Sequence, residues 1–70
     1  MRVLLIGQGG REHAIARALV ESAEPGAVEL TCAPGNPGIA QLARCVPIAS
    51  DDLPGLLALA ADEAFSLVLP

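Results

Sequence analysis

Lysine, tryptophan and tyrosine are absent from this 70-residue chain, and phenylalanine and histidine occur once each, as Phe65 and His13. The only strong cations are Arg2, Arg11, Arg17 and Arg44, against a formal net charge of -4. No basic stripe can follow a phosphate backbone, and one aromatic ring makes no stacking platform, so nucleic acid is excluded as the expected partner. Two cysteines, Cys32 and Cys45, stand in apolar contexts without a CxxC pair, and one histidine is too few to complete a zinc set with them. They read as reduced, mostly buried thiols of a cytoplasmic protein, and no metal ligand is expected. The opening apolar run is too short for a signal peptide, and no stretch is long enough to span a membrane.

What is present is 53% hydrophobic residues, enough for one small soluble domain. A domain of this length buries only roughly 60% of the surface its unfolded chain exposes, so residues 1–70 are expected to be part of a larger protein.

"RVLLI", residues 2 to 6, is a continuous branched apolar run ending at Gly7, as in a parallel strand covered on both faces. From Glu12 to about Ser22 the period becomes helical. Ile15, Ala18, Leu19 and Ala23 form the apolar side, with Glu12, Arg17 and Glu21 toward water, and "EPG" at 24–26 stops the helix. "AVELTC", residues 27 to 32, alternates as a second strand. "APGNPGIAQLA", residues 33 to 43, offers a loop and about one helical turn. "CVPIA", residues 45 to 49, suits an edge strand because Pro47 has no amide donor.

A further helix starts near Ser50, Asp51 or Asp52, with Pro54 in its first turn. Leu56, Leu57, Ala60, Ala61 and Ala64 form its expected buried stripe, and "FSLVLP", residues 65 to 70, is a fourth strand. Strands alternating with helices predict an α/β, Rossmann-like, three-layer domain with a parallel sheet of about four strands. Ligands of such sheets bind beyond the carboxyl ends of the strands, where both glycine-rich loops leave.

Gly7-x-Gly9-Gly10, after a buried strand and before a helix, lets an anion approach the main chain and the positive end of the helix. The other reading is a tight turn that binds nothing. A dinucleotide fingerprint is not met: Glu12 stands where the third glycine belongs, and the second strand ends in Cys32, Ala33 and Pro34 rather than in an acidic residue. Arg11 suits a phosphate or carboxylate but is also an ordinary solvated residue. Glu12 is either a first-turn residue complementing the helix dipole or a group that orients ligand. His13 suits hydrogen bonding or proton transfer, or a structural place. Asn36, among the turn residues 34 to 38, either makes a turn or closes over a ligand.

"MRVLLIGQGGREHAIARAL", "APGNPGIA" and "SDDLPGLLALA" together resemble the N-terminal domain of the phosphoribosylamine-glycine ligase family, over essentially the whole chain. The decisive combination is Gly-x-Gly-Gly-Arg-Glu-His-Ala at Gly7 to Ala14 with Ala-Pro-Gly-Asn-x-Gly at Ala33 to Gly38. The resemblance implies a domain of the type that precedes an ATP-grasp unit, and an ATP-dependent ligase of purine biosynthesis that joins glycine to 5-phosphoribosylamine. ATP and magnesium or manganese are then held by further domains of the same chain, with no cofactor expected within residues 1–70, which alone should be inactive.

Gly7, Gly9, Gly10, Arg11, Glu12 and His13, with Asn36 and Gly38 of the facing loop, become candidate substrate-binding residues, and none is expected to be catalytic. The family pattern continues the fourth strand into a Val-Gly-Pro-Glu type loop, where this chain has Val68-Leu69-Pro70. The competing function is a free-standing Rossmann-like module that binds a nucleotide or phosphosugar without chemistry.

Overall fold

The computed structural model describes residues 1–70. Strand β1, Arg2–Gly7, is followed by helix α1, Gly10–Ser22, and strand β2, Glu29–Pro34. A short 3-10 turn at Ile39–Gln41 leads to strand β3, Arg44–Cys45, then helix α2, Leu53–Asp62, and strand β4, Leu67–Leu69. The four strands form a parallel sheet in the order β3-β2-β1-β4. Three layers result, because α1 and α2 pack on opposite faces.

Alternation along the strands assigns the two cores. Val3 and Leu5 of β1 and Leu30 and Cys32 of β2 face Ala16 of α1 and Ile39 of the 3-10 turn. Leu4 and Ala33 face Leu56 of α2, with Leu59, Ile6 and Phe65 beside them. The reading of β1 as covered on both faces is thus met by helices on both sides.

Several boundaries and faces differ from the sequence reading, each for a local reason. Strand β2 begins at Glu29 rather than 27 because residues 24–27 close a turn, with the Ala27 amide donating to the Glu24 carbonyl at 2.9 Å. It runs on to Pro34 because pairing with β1 continues to Gly7. Strand β3 is only two residues long: the Val46 amide still donates to Cys32, but Pro47 has no amide to extend the ladder. The edge position expected for this segment holds.

On α1 the fully buried residue is Ala16, flanked by half-buried Ile15 and Leu19, while Ala18 is exposed. On α2 the expected wide stripe is replaced by Leu56 and Leu59, one turn apart. Leu57, Ala60, Ala61 and Ala64 are exposed, and Ala64 lies beyond the helix end. A ten-residue helix on a narrow sheet covers only one row of contacts, so composition overstated its buried face. No helix is long and apolar enough to cross a membrane.

Candidate functional site

Strand order reverses direction at β1: β2 and β3 lie on one side and β4 on the other. The crevice beyond the carboxyl ends of β1 and β4 is therefore the switch point, the place where open parallel sheets take their ligands. Three chain segments meet around it: Gly7–Gly10 after β1, Pro34–Gly38 after β2, and Pro70 after β4.

The first segment owes its shape to Gly7 and Glu12. Gly7 has φ of +146°, a region that side chains rarely enter, and a Cβ there would fall on the Glu12 side chain. Glu12 is a first-turn residue of α1 that reaches back to the helix start as in a capping box, with only 12% of its side chain exposed. Its Oε2 accepts the Gly9 amide at 3.1 Å, and its Oε1 accepts Arg11 Nη2 at 3.1 Å. Its own backbone amide first, then the Arg11 guanidinium and the Gly9 amide, hold the carboxyl below the usual carboxylate range, while burial acts in the opposite sense. The carboxylate is thus turned back under the loop and paired with Arg11.

Gly9 caps α1 without a side chain, and its carbonyl accepts the first helical bond, from the His13 amide at 3.1 Å. The amides of Gly10 and Arg11 donate to nothing within the chain. They are the orphan donors of a helix start, next to the switch point. Arg11 crosses the crevice: its Nη2 also donates to the Pro70 carbonyl at 3.2 Å, and its side chain is 68% exposed.

The second segment is fastened to the first. The Gly35 amide donates to the Gly7 carbonyl at 3.0 Å, and Asn36 Nδ2 donates to the Gln8 carbonyl at 2.8 Å. Asn36 Oδ1 accepts the Ile39 amide at 2.9 Å, which starts the 3-10 turn. Both ends of the Asn36 amide bond inside the chain, so the turn is formed, with one Nδ2 hydrogen left over. Gly38 is required by a close approach: a Cβ there would lie 2.7 Å from His13 Cε1. His13 therefore packs its ring against the second loop, and with Gly10, Ala14 and Arg17 it lines an open depression of about 290 Å³.

Cys32 had drawn attention only as a buried thiol. It lies under the loop, its Sγ donating to the Gly7 carbonyl at 3.4 Å. Burial pushes the thiol up, with the charges of Cys45 and Glu12 adding to the effect. Both cysteines are free. The Arg11 contact with Pro70 is the other unforeseen feature, since nothing local marks partners 59 residues apart. A larger depression of about 460 Å³ lies at the opposite end of the sheet, bordered by Arg2, Glu29, Thr31 and Arg44. Its charges are spent on ion pairs, Arg2 with Glu29 and both arginines with Glu63.

A family model described as phosphoribosylglycinamide synthetase, N domain, matches residues 1–70. The chain belongs to this family. A phosphoribosylamine-glycine ligase of Nostoc sp. is 48% identical over 71 residues, covering 99% of this chain and 16% of the relative. One from Xanthomonas campestris is 51% identical, with the same coverage of each chain. The crystal structure of the phosphoribosylamine-glycine ligase of Thermotoga maritima superposes with a TM-score of 0.70 at 31% identity, over 100% of this chain and 16% of that one. Residues 1–70 thus span 16% of the length of these relatives. In this synthetase N domain the two glycine-bearing segments used for the family resemblance are the two that meet at the switch point.

Proposed function

We propose that residues 1–70 form the phosphosubstrate-binding N domain of an ATP-dependent carbon-nitrogen ligase that joins glycine to 5-phosphoribosylamine, giving glycinamide ribonucleotide, ADP and phosphate in de novo purine biosynthesis. The observation that supports it most is the pair of unpartnered amides of Gly10 and Arg11 beside an arginine held across the switch point. Donors of this kind suit a phosphate monoester, which takes backbone amides and a guanidinium together. Gly7 and Gly9 let the ligand approach, Gly38 and Asn36 shape the facing wall, and His13 stands at its side.

The reaction needs a carboxylate of glycine activated as an acyl phosphate by ATP, then attacked by the amine of phosphoribosylamine with loss of phosphate. We place the metal-bound nucleotide of this reaction outside residues 1–70. The chain has no lysine, no three His, Cys, Asp or Glu side chains gather, and Glu12 and Glu63 are committed to arginines. On this reading ATP and magnesium or manganese belong to an ATP-grasp domain of the same longer chain, working in the cytoplasm, and residues 1–70 alone hold substrate without turning it over.

The test is a ligation assay with glycine, ATP and phosphoribosylamine. A full-length polypeptide carrying residues 1–70 should release ADP only when both other substrates are present, and the 70-residue chain should release none. Glycine-dependent ADP release by the 70-residue chain would overturn the division of labour. A full-length polypeptide that binds phosphosugar but never ligates would instead identify a binding module.

A further inference from the structure

We infer that Glu12 is a positioning residue that acts through Arg11, bridging the glycine loop to the guanidinium so that Arg11 is already set across the β1–β4 crevice when the phosphosubstrate arrives. The inference rests on the phosphate-binding reading above and adds a role for a carboxylate that would otherwise oppose it.

Arg11 is a long, largely exposed side chain, and fixing such a chain on binding opposes association through lost rotamer freedom. Two acceptors remove that freedom beforehand. The Pro70 carbonyl takes Nη2 from the β4 side, and Glu12 Oε1 takes the same nitrogen from the α1 side. Nη1 and Nε make no hydrogen bond within the chain, so that part of the planar fork remains for a ligand oxygen.

Glu12 is itself fixed, because Oε2 is anchored by the Gly9 amide and the side chain occupies the space that the missing Cβ of Gly7 leaves. The geometry also separates the carboxylate from the free donors. Glu12 takes the Gly9 amide and leaves those of Gly10 and Arg11 unpartnered. A carboxylate competing for the anion's place would be bonded to those two amides instead.

The test is a double-substitution cycle in the full-length polypeptide, read as the KM values for phosphoribosylamine, glycine and ATP. Glu12→Ala should raise KM for phosphoribosylamine about tenfold or more, the scale of a lost charged hydrogen bond, with the other two KM values within about twofold of wild type. In an Arg11→Ala background the same change should shift that KM by less than about twofold, since the residue it acts through is gone. Glu12→Gln keeps a single acceptor oxygen, enough for Gly9 or for Arg11 but not for both, and removes the charge, so its loss should lie between wild type and Ala. The same cycle with Gln decides the matter if the Ala variant melts before assay.

Equal losses in both backgrounds, no loss at all, or a lower KM on removing Glu12 would each overturn the inference. Arg11→Ala with an unchanged phosphoribosylamine KM would overturn the phosphate-binding role of Arg11, a failure distinct from those three.

Discussion

At the scale of single residues, the glycine loop is a fitted pair of backbone and carboxylate. Gly7 carries a positive φ and leaves room for the Glu12 side chain, so Gly7→Ala introduces both strain and a collision. The strained backbone alone costs about 1–3 kcal/mol. Urea unfolding should show a loss at least this large, and the same Gly7→Ala change made with Glu12→Ala should recover the collision but keep the strain. Full recovery in the double variant would show that the backbone conformation carries no cost. Gly7, Gly9 and Gly10 announced the loop in sequence because glycine marks main-chain geometry directly. Glu12 was legible as a first-turn residue, three positions after Gly9 as in a capping box; its fit into the space beside Gly7 was not, because that depends on the fold of the loop.

At the scale of elements, the order of strands and helices was readable from the change between continuous apolar runs and helical spacing, and the start of α2 was readable from its residues. Asp52 caps that helix, its Oδ1 accepting the Gly55 amide at 3.1 Å, with Pro54 in the first turn. Asp52→Ala should cost about 1 kcal/mol by loss of this cap, while Asp52→Asn should cost much less. Denaturant midpoints check both, and an unchanged midpoint for Asp52→Ala would mean that the helix start is held by packing alone. The buried faces of α1 and α2 were less legible. Leu57 and Ala60 have the same hydropathy whether or not the sheet is wide enough to meet them, and that width depends on pairings absent from a local pattern.

At the scale of the whole molecule, an ion cluster ties the ends farthest from the loops. Glu63, just past α2, pairs with Arg44 of β3 at 2.7 Å and with Arg2 of β1. Arg2 also stacks over Phe65, 5.2 Å from the ring centre. Arg44 first, then Arg2, holds the Glu63 carboxyl below the usual carboxylate range. A carboxyl lowered by folding stabilises the folded state above the ordinary carboxylate range, and that contribution fades as pH falls through the lowered value. Glu63→Gln should therefore lower the melting temperature near neutral pH, and the gap from wild type should close on acidification below the ordinary glutamate range. A gap independent of pH would show that the pairs contribute through shape and not charge. Such long-range ties are invisible to sequence spacing, since Arg2 and Glu63 are 61 positions apart.

The central claim, that the loop after β1 receives the phosphate of the substrate, is tested most directly by the phosphoribosylamine KM of a Gly9→Asp full-length variant. Aspartate is a favoured residue at a helix start, so α1 should still form, but a negative charge then sits beside the Gly10 and Arg11 amides. The account predicts that this KM rises by roughly tenfold or more while the glycine KM stays near wild type, the scale of one charged hydrogen bond lost. A folded Gly9→Asp variant with an unchanged phosphoribosylamine KM would contradict it.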